Sequence, residues 1–328
     1  MKRVLNQLFE HEKLTKDQAK EVLINISKSV YNDSQVAAFI SVYLMRGISV
    51  EELRGFREAL LDLCIPIDIE GQDAIDLCGT GGDGKNTFNI STLSSFVVAG
   101  AGYKVTKHGN YGVSSVCGSS NVLEHLGYNF TKESDILKKQ LDKSNICFLH
   151  APLFHPALAS VGPIRRQLGV KTFFNMLGPL VNPAQPNHQS VGVFNLKIAR
   201  LYQYLHEDLD KKYSIIHALD GYDEISLTGK TKIINQSEEF LASPSYFGLP
   251  TYTAEDIFGG DTIELAAKIF VDLLDGKGTQ AQEDVVLANS ASAIQCFDAN
   301  KSIVECVSEA RESLRSGKAK MALSGIIA

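Results

Sequence analysis

The chain lacks most of the features that would place it outside ordinary globular proteins. Its six cysteines, Cys64, Cys78, Cys117, Cys147, Cys296 and Cys306, form no C-x-x-C pair, which excludes the usual zinc spacings and a disulfide framework. They read as reduced thiols among apolar neighbours. No apolar run approaches the length of a bilayer span, the longest being FVVAGAGY from Phe96, and no apolar signal-peptide core follows Lys2 and Arg3. The expected location is the cytoplasm. There is no low-complexity tract and no excess of positive charge: the formal net charge of −6 argues against a surface built for nucleic acid or anionic membrane. Any anion site must be local. Tryptophan is also absent, which decides nothing by itself.

What is present is ordered along the chain. From Leu5 to about Asp62 apolar residues recur at helical spacing, as in Ala19, Val22, Leu23, Ile26 and again in Leu53, Phe56, Leu60, with Thr15 and Ser49 placed as N-caps. This predicts a small helical domain over residues 1–64. After Pro66 and Gly71 short apolar strands alternate with helices: residues 73–77, 103–107, 145–150, 190–195 and 213–219, with helical runs at 91–99 and 196–210. Such alternation predicts an α/β domain over 72–328 with a mostly parallel central sheet. The segment 155–183, rich in Pro, Gly and aromatics, breaks the pattern, and part of 163–184 is a candidate to join the helical domain. The tail after Asp261 is helical, with Leu265, Ala266, Ile269, Phe270 and Leu273 on one expected face and Ile303, Cys306, Val307, Ala310 and Leu314 on another.

The stretch IDLCGTGGDGKNTFNIST, residues 75–92, packs four glycines into six positions. Gly79, Gly81 and Gly84 satisfy the dinucleotide pattern G-x-G-x-x-G, yet the next strand ends in lysines where the ribose-binding acid should stand. Gly84 and Lys85 resemble a nucleotide P-loop, yet Asn86 replaces the magnesium-binding hydroxyl and Asp83 puts a carboxylate in the cradle. What remains is a glycine loop able to turn N–H groups toward an anion, followed by a helix start at Asn89, Ser91 and Thr92. Two such devices in tandem suit a diphosphate; the alternative is a tight turn after a buried strand. The next strand runs into KHGNYGVSSVCGSS, residues 107–120, where Lys107 could neutralise a phosphate and Asn110, Ser114, Ser115 and Ser119 add donors. A third loop, DGYDEISLTG from Asp220, sets Asp223 beside Glu224, a pair that is either solvated or a ligand set for a hard cation such as magnesium.

GTGGD, KHGN with its VSS, the HPA…VGPIRRQLG…FFNMLGPLVNP segment and DEIS, in that order over the whole chain, resemble the anthranilate phosphoribosyltransferase family. The resemblance implies a small helical and a large α/β domain with the active site between them, and a homodimer formed through the helical domain. By the same resemblance, Gly79, Gly82, Asp83, Thr87, Asn89, Ser91 and Thr92 hold phosphoribosyl pyrophosphate, and Lys107, Ser115 and Ser119 continue that site. Anthranilate falls to Gly79, Asn110 and Arg165. Two magnesium ions are implied, one at Ser91 and one at Asp223 with Glu224; His108 sits beside this group. The chain departs from the family where SSVCGSSN replaces the common SSKSGSAD, with Val116, Cys117, Ser120 and Asn121 as the changes, and where Tyr111 replaces a common Arg.

The chemistry so implied needs no general base. The amine of anthranilate is neutral at pH 7, while leaving-group departure gives the ribose oxocarbenium character, so positioning and metal assistance carry the reaction. No catalytic acid or base is assigned. A nucleoside phosphorylase of the same architecture and a non-catalytic nucleic-acid-binding relative are the rivals; the RR segment, the acidic total and the retained Asp223 and Glu224 disfavour them.

Overall fold

Four stripes of apolar residues at helical spacing become four helices, α1 (Lys2–Phe9), α2 (Lys16–Ser27), α3 (Asp33–Arg46) and α4 (Val50–Leu63), in a computed structural model that describes residues 1–112 and 115–327. Ser114, expected as a donor, lies outside the described residues. Capping boxes start α2 and α4: Thr15 accepts from the Gln18 N–H at 3.2 Å and Ser49 from that of Glu52 at 3.3 Å, each worth about 1 kcal/mol. Glu52 does more than cap. It is fully buried and accepts from Arg46, from Leu14 N–H at 3.0 Å and from Ser49 N–H at 2.9 Å. Burial pushes its pKa up, but these bonds hold it below the usual value.

The chain divides into two compact units, Met1–Ile67 with Ala151–Gln185, and Asp68–His150 with Pro186–Ala328. Residues 151–185 therefore group with the N-terminal helices, a larger exchange than part of 163–184. The reason is aromatic packing. Phe173 stacks on Phe56 at 4.7 Å between centroids and meets Tyr43 edge-on at 5.0 Å, filling a core that α1–α4 alone leave open. Backbone bonds from Ile65 N–H to Phe154 O and Ile67 N–H to Pro183 O secure the segment at its ends.

The second unit is built on a seven-stranded sheet of order β3-β2-β1-β4-β5-β6-β7. Its strands are β1 (Ala74–Gly79), β2 (Lys104–Gly109), β3 (Ile146–His150), β4 (His188–Gly192), β5 (Lys212–Ala218), β6 (Thr231–Ile234) and β7 (Glu239–Ala242). The first five run parallel; β6 and β7 are antiparallel. Two expectations need correcting here. β4 starts at His188, earlier than its apolar residues suggest, because His188 and Gln189 are buried and hydrogen-bonded to Asp73 and His206. The β6–β7 hairpin was not foreseen. In the tail, Leu265 is 49% exposed and so leaves the expected buried face of Ile263–Leu274, whereas Gln280–Gln295 is buried almost all round.

Candidate functional site

The loops after β1 and β5 leave the sheet at its carboxyl edge, the position at which open α/β sheets bind ligands. In the first, Gly81, Gly82 and Gly84 have φ of 63°, 77° and 75°, a left-handed run that only glycine enters without strain. Gly79 answers a different need. A Cβ there would lie 2.5 Å from Asp223 Oδ2, and one on Gly192 only 1.5 Å from Asp223 O. Both glycines make room for the acid turn. Gly81 N–H then donates to Asp223 Oδ2 at 2.7 Å, while Asp83 turns back to accept from Lys85 N–H at 3.0 Å. Lys85 places its ammonium 4.6 Å from the centre of the Tyr222 ring, a second tie between the glycine loop and the turn.

Burial raises the Asp223 pKa to about 7, with the Asp83 charge adding to it. Glu224 is raised to about 8 by burial and by Asp223, against the opposing pull of Lys107 and a bond to Ser91. The protein thus does not neutralise its own acids, as a cation site requires. Among the described residues no group of three or more His, Cys, Asp or Glu is arranged to hold a metal ion. Magnesium does not need one: it is commonly bound through one or two carboxylates, with substrate phosphates and water completing the shell. Asp223, Glu224 and the Ser91 hydroxyl fit that donor set.

Lys107 is buried; its ammonium donates to Leu77 O at 2.5 Å and to Ser91 Oγ at 3.4 Å. Burial lowers its pKa, while Asp76, Cys78 and Glu224 raise it. Its charge therefore lies beneath the edge rather than on it. A small cavity lined in part by Ser91, Ser94, Ser190, Glu224 and Asn289 lies in the same region. Asn289 was invisible to sequence reasoning. From 64 residues away its amide accepts from Ile225 N–H at 3.0 Å and donates to Ile225 O at 2.9 Å, gripping the backbone next to Glu224.

Helix α5 (Ile90–Gly100) begins after the glycine loop, and its N-cap residue Asn89 makes no side-chain cap. Asn89 instead donates to Cys117 O at 3.0 Å. The first-turn N–H groups of α5, among Ser91 and Thr92, are thus left for an anion. Thr92 itself is buried, and Thr87 pairs in an isolated bridge with Phe258. Beyond β2, Ser119 Oγ donates to Asn110 O and accepts from Asn110 N–H, each at 3.2 Å. Asn110 is exposed, Ser115 half-buried, and His108 buried with its backbone N–H donating to Asp76 Oδ1 at 3.1 Å.

Arg165 belongs to the other unit, in the helix Gly162–Leu168. Its guanidinium lies 5.4 Å from the Phe174 ring centre and 3.4 Å from Asn175 Oδ1. Burial lowers its pKa and no carboxylate opposes the shift. Arg166 is exposed.

A family model described as "Glycosyl transferase family, helical bundle domain" matches residues 2–64, and "Glycosyl transferase family, a/b domain" matches residues 71–320. An anthranilate phosphoribosyltransferase from Christiangramia forsetii is 58% identical over 97% of this chain and 96% of its own. The chain belongs to the anthranilate phosphoribosyltransferase family. Crystal structures of family members agree with its fold: that from Thermus thermophilus has a TM-score of 0.92 at 30% identity, covering 98% of both chains. The Saccharomyces cerevisiae enzyme in complex with phosphoribosyl pyrophosphate and magnesium also scores 0.92, at 27% identity, over 98% of this chain and 95% of that one.

Within an anthranilate phosphoribosyltransferase frame the residues noted above as departures have definite places. Tyr111 sets its ring edge-on to His150 at 4.9 Å and its hydroxyl on Glu124 at 3.1 Å. Ser120 Oγ is 2.9 Å from His150 Nδ1. Cys117 is buried and Val116 exposed. Uncharged side chains occupy these positions, with hydrogen bonds to Glu124 and His150.

Proposed function

We propose that the chain transfers the 5-phosphoribosyl group from phosphoribosyl pyrophosphate to the amine of anthranilate, giving N-(5-phosphoribosyl)anthranilate and diphosphate in tryptophan biosynthesis. The observation that carries the reading is the meeting, around one sheet edge, of the left-handed glycine loop, the uncapped start of α5 and the under-neutralised acid pair. Family membership and the ligands of the yeast relative support it.

In this reading Gly79, Gly82, Asp83, Thr87, Asn89, Ser91 and Thr92 hold phosphoribosyl pyrophosphate through loop N–H groups, hydroxyls and the start of α5, with Ser115 and Ser119 continuing the site. Lys107 acts from below, its charge felt through Ser91. Asp223 and Glu224 would hold one magnesium ion and Ser91 would contact a second. Bound magnesium would neutralise charge developing on the departing diphosphate. Glycine-loop N–H groups would add to the stabilisation of the same charge. Gly79, Asn110 and Arg165 receive anthranilate; a planar guanidinium suits its carboxylate. No side chain is asked to remove a proton before attack.

We place the reaction in the cytoplasm, which suits the free cysteines, with no nucleic-acid or membrane partner; no helix among the described residues is long and apolar enough to cross a membrane. We assign a homodimer through the helical unit, where Phe9, Leu44 and Met45 are exposed. The test of function is direct: anthranilate fluorescence should fall when phosphoribosyl pyrophosphate and magnesium are added. Unchanged fluorescence, or phosphorolysis of a pyrimidine nucleoside instead, overturns the reading.

A further inference from the structure

At the neck of the second loop one side-chain atom joins two backbone groups. Asn121, in helix α6 (Ser119–His125), accepts on Oδ1 from Gly112 N–H at 2.9 Å and from Gly118 N–H at 3.0 Å. The bond to Gly118 alone would be the one-sided cap that an N3 side chain gives the N-cap N–H at a helix start. Gly112 lies outside the helix and nine residues upstream, so the second bond is a tie across the loop. The two strands of the neck also touch: a Cβ on Gly118 would fall 2.2 Å from Gly112 N, and one on Gly112 2.6 Å from Ser115 O. One step further out, Ser119 Oγ bonds both backbone groups of Asn110. Asn121 thus ties Gly112 and Gly118, the residues on either side of Ser115, next to the Asn110–Ser119 pairing.

We propose that Asn121 is a positioning residue of the phosphoribosyl pyrophosphate site, acting through the tie between Gly112 and Gly118 beside Ser115 and Ser119. This rests on the assignment of the second loop to phosphoribosyl pyrophosphate. Without the shared acceptor two N–H groups lose their partner, and the loop must find another arrangement to satisfy them. An aspartate would keep both acceptor bonds, so the claim concerns the acceptor oxygen and not the amide.

The experiment compares wild type, Asn121→Ala and Asn121→Asp by calorimetric titration with magnesium and phosphoribosyl pyrophosphate, without anthranilate, alongside thermal melting. Asn121→Ala should bind roughly tenfold more weakly, the scale of one or two lost hydrogen bonds, with its melting temperature changed by no more than a few degrees. Asn121→Asp should bind like wild type. Equal affinity of wild type and Asn121→Ala, or equal loss in both variants, overturns the proposal. A wild-type chain that binds no phosphoribosyl pyrophosphate overturns the underlying assignment instead. Hydrogen exchange on the wild type needs no variant: Gly112 and Gly118 amides should be protected together, and free exchange at either refutes the tie.

Discussion

Burial sets the protonation of Asp223 and Glu224 before any ligand arrives. Both pKa values are raised, to about 7 and about 8, so the folded state keeps protons that the unfolded chain gives up from about pH 4. Stability from this pair therefore falls as pH rises toward 8. Melted with a chelator present, the protein should lose stability between pH 6 and pH 8, and Asp223→Asn with Glu224→Gln should flatten that slope. Equal slopes in both proteins would remove the pair from the account. Arg165 carries the second expectation at this scale. It is a partly buried cation with no carboxylate partner among the described residues, so Arg165→Ala should weaken apparent anthranilate binding by about 1.5–3 kcal/mol and leave phosphoribosyl pyrophosphate affinity nearly intact. Arg166→Ala should do neither, as substrate titrations of the two variants would establish. The glycines, hydroxyls and acids of the loops were legible because their chemistry is local. Asn289 was not, since nothing near it in sequence signals a partner at Ile225, and the depth of Lys107 depends on strands that meet only in the fold.

At the scale of elements, the long helix Gln280–Gln295 has a task its sequence conceals. It is buried almost all round, so it lacks the apolar and polar faces by which a surface helix declares itself. Through Asn289 it grips Ile225, and Asn289→Ala should release the turn next to Glu224 and cost about 2 kcal/mol of stability from the unpaired backbone. The magnesium concentration for half-maximal rate should rise as well. A variant that loses stability with unchanged magnesium demand would make Asn289 a packing residue only. The strands buried in the middle of the sheet were legible as apolar runs. The hairpin was not: β6 and β7 have four residues each, and β7 is partly exposed, so neither makes a run long enough to distinguish from a loop. His188 and Gln189 hid the start of β4 by being polar at buried positions.

For the whole molecule, assembly is the measurable question. Met45 is 88% exposed in the helical unit, and for the homodimer proposed above Met45→Glu should shift sedimentation toward monomer while leaving the α/β unit's binding of phosphoribosyl pyrophosphate in place. An unchanged dimer would move the interface elsewhere. The division of the chain has another consequence, in time. The helical unit takes its closing aromatic, Phe173, from far downstream, and Phe39, Tyr43 and Phe56 complete their packing only when it arrives. Since domains tend to fold as units while synthesis proceeds from the N-terminus, the helices that leave the ribosome first must wait, half-packed, for more than a hundred residues. The helical unit cannot close until strands β1, β2 and β3 of the other unit have already been made.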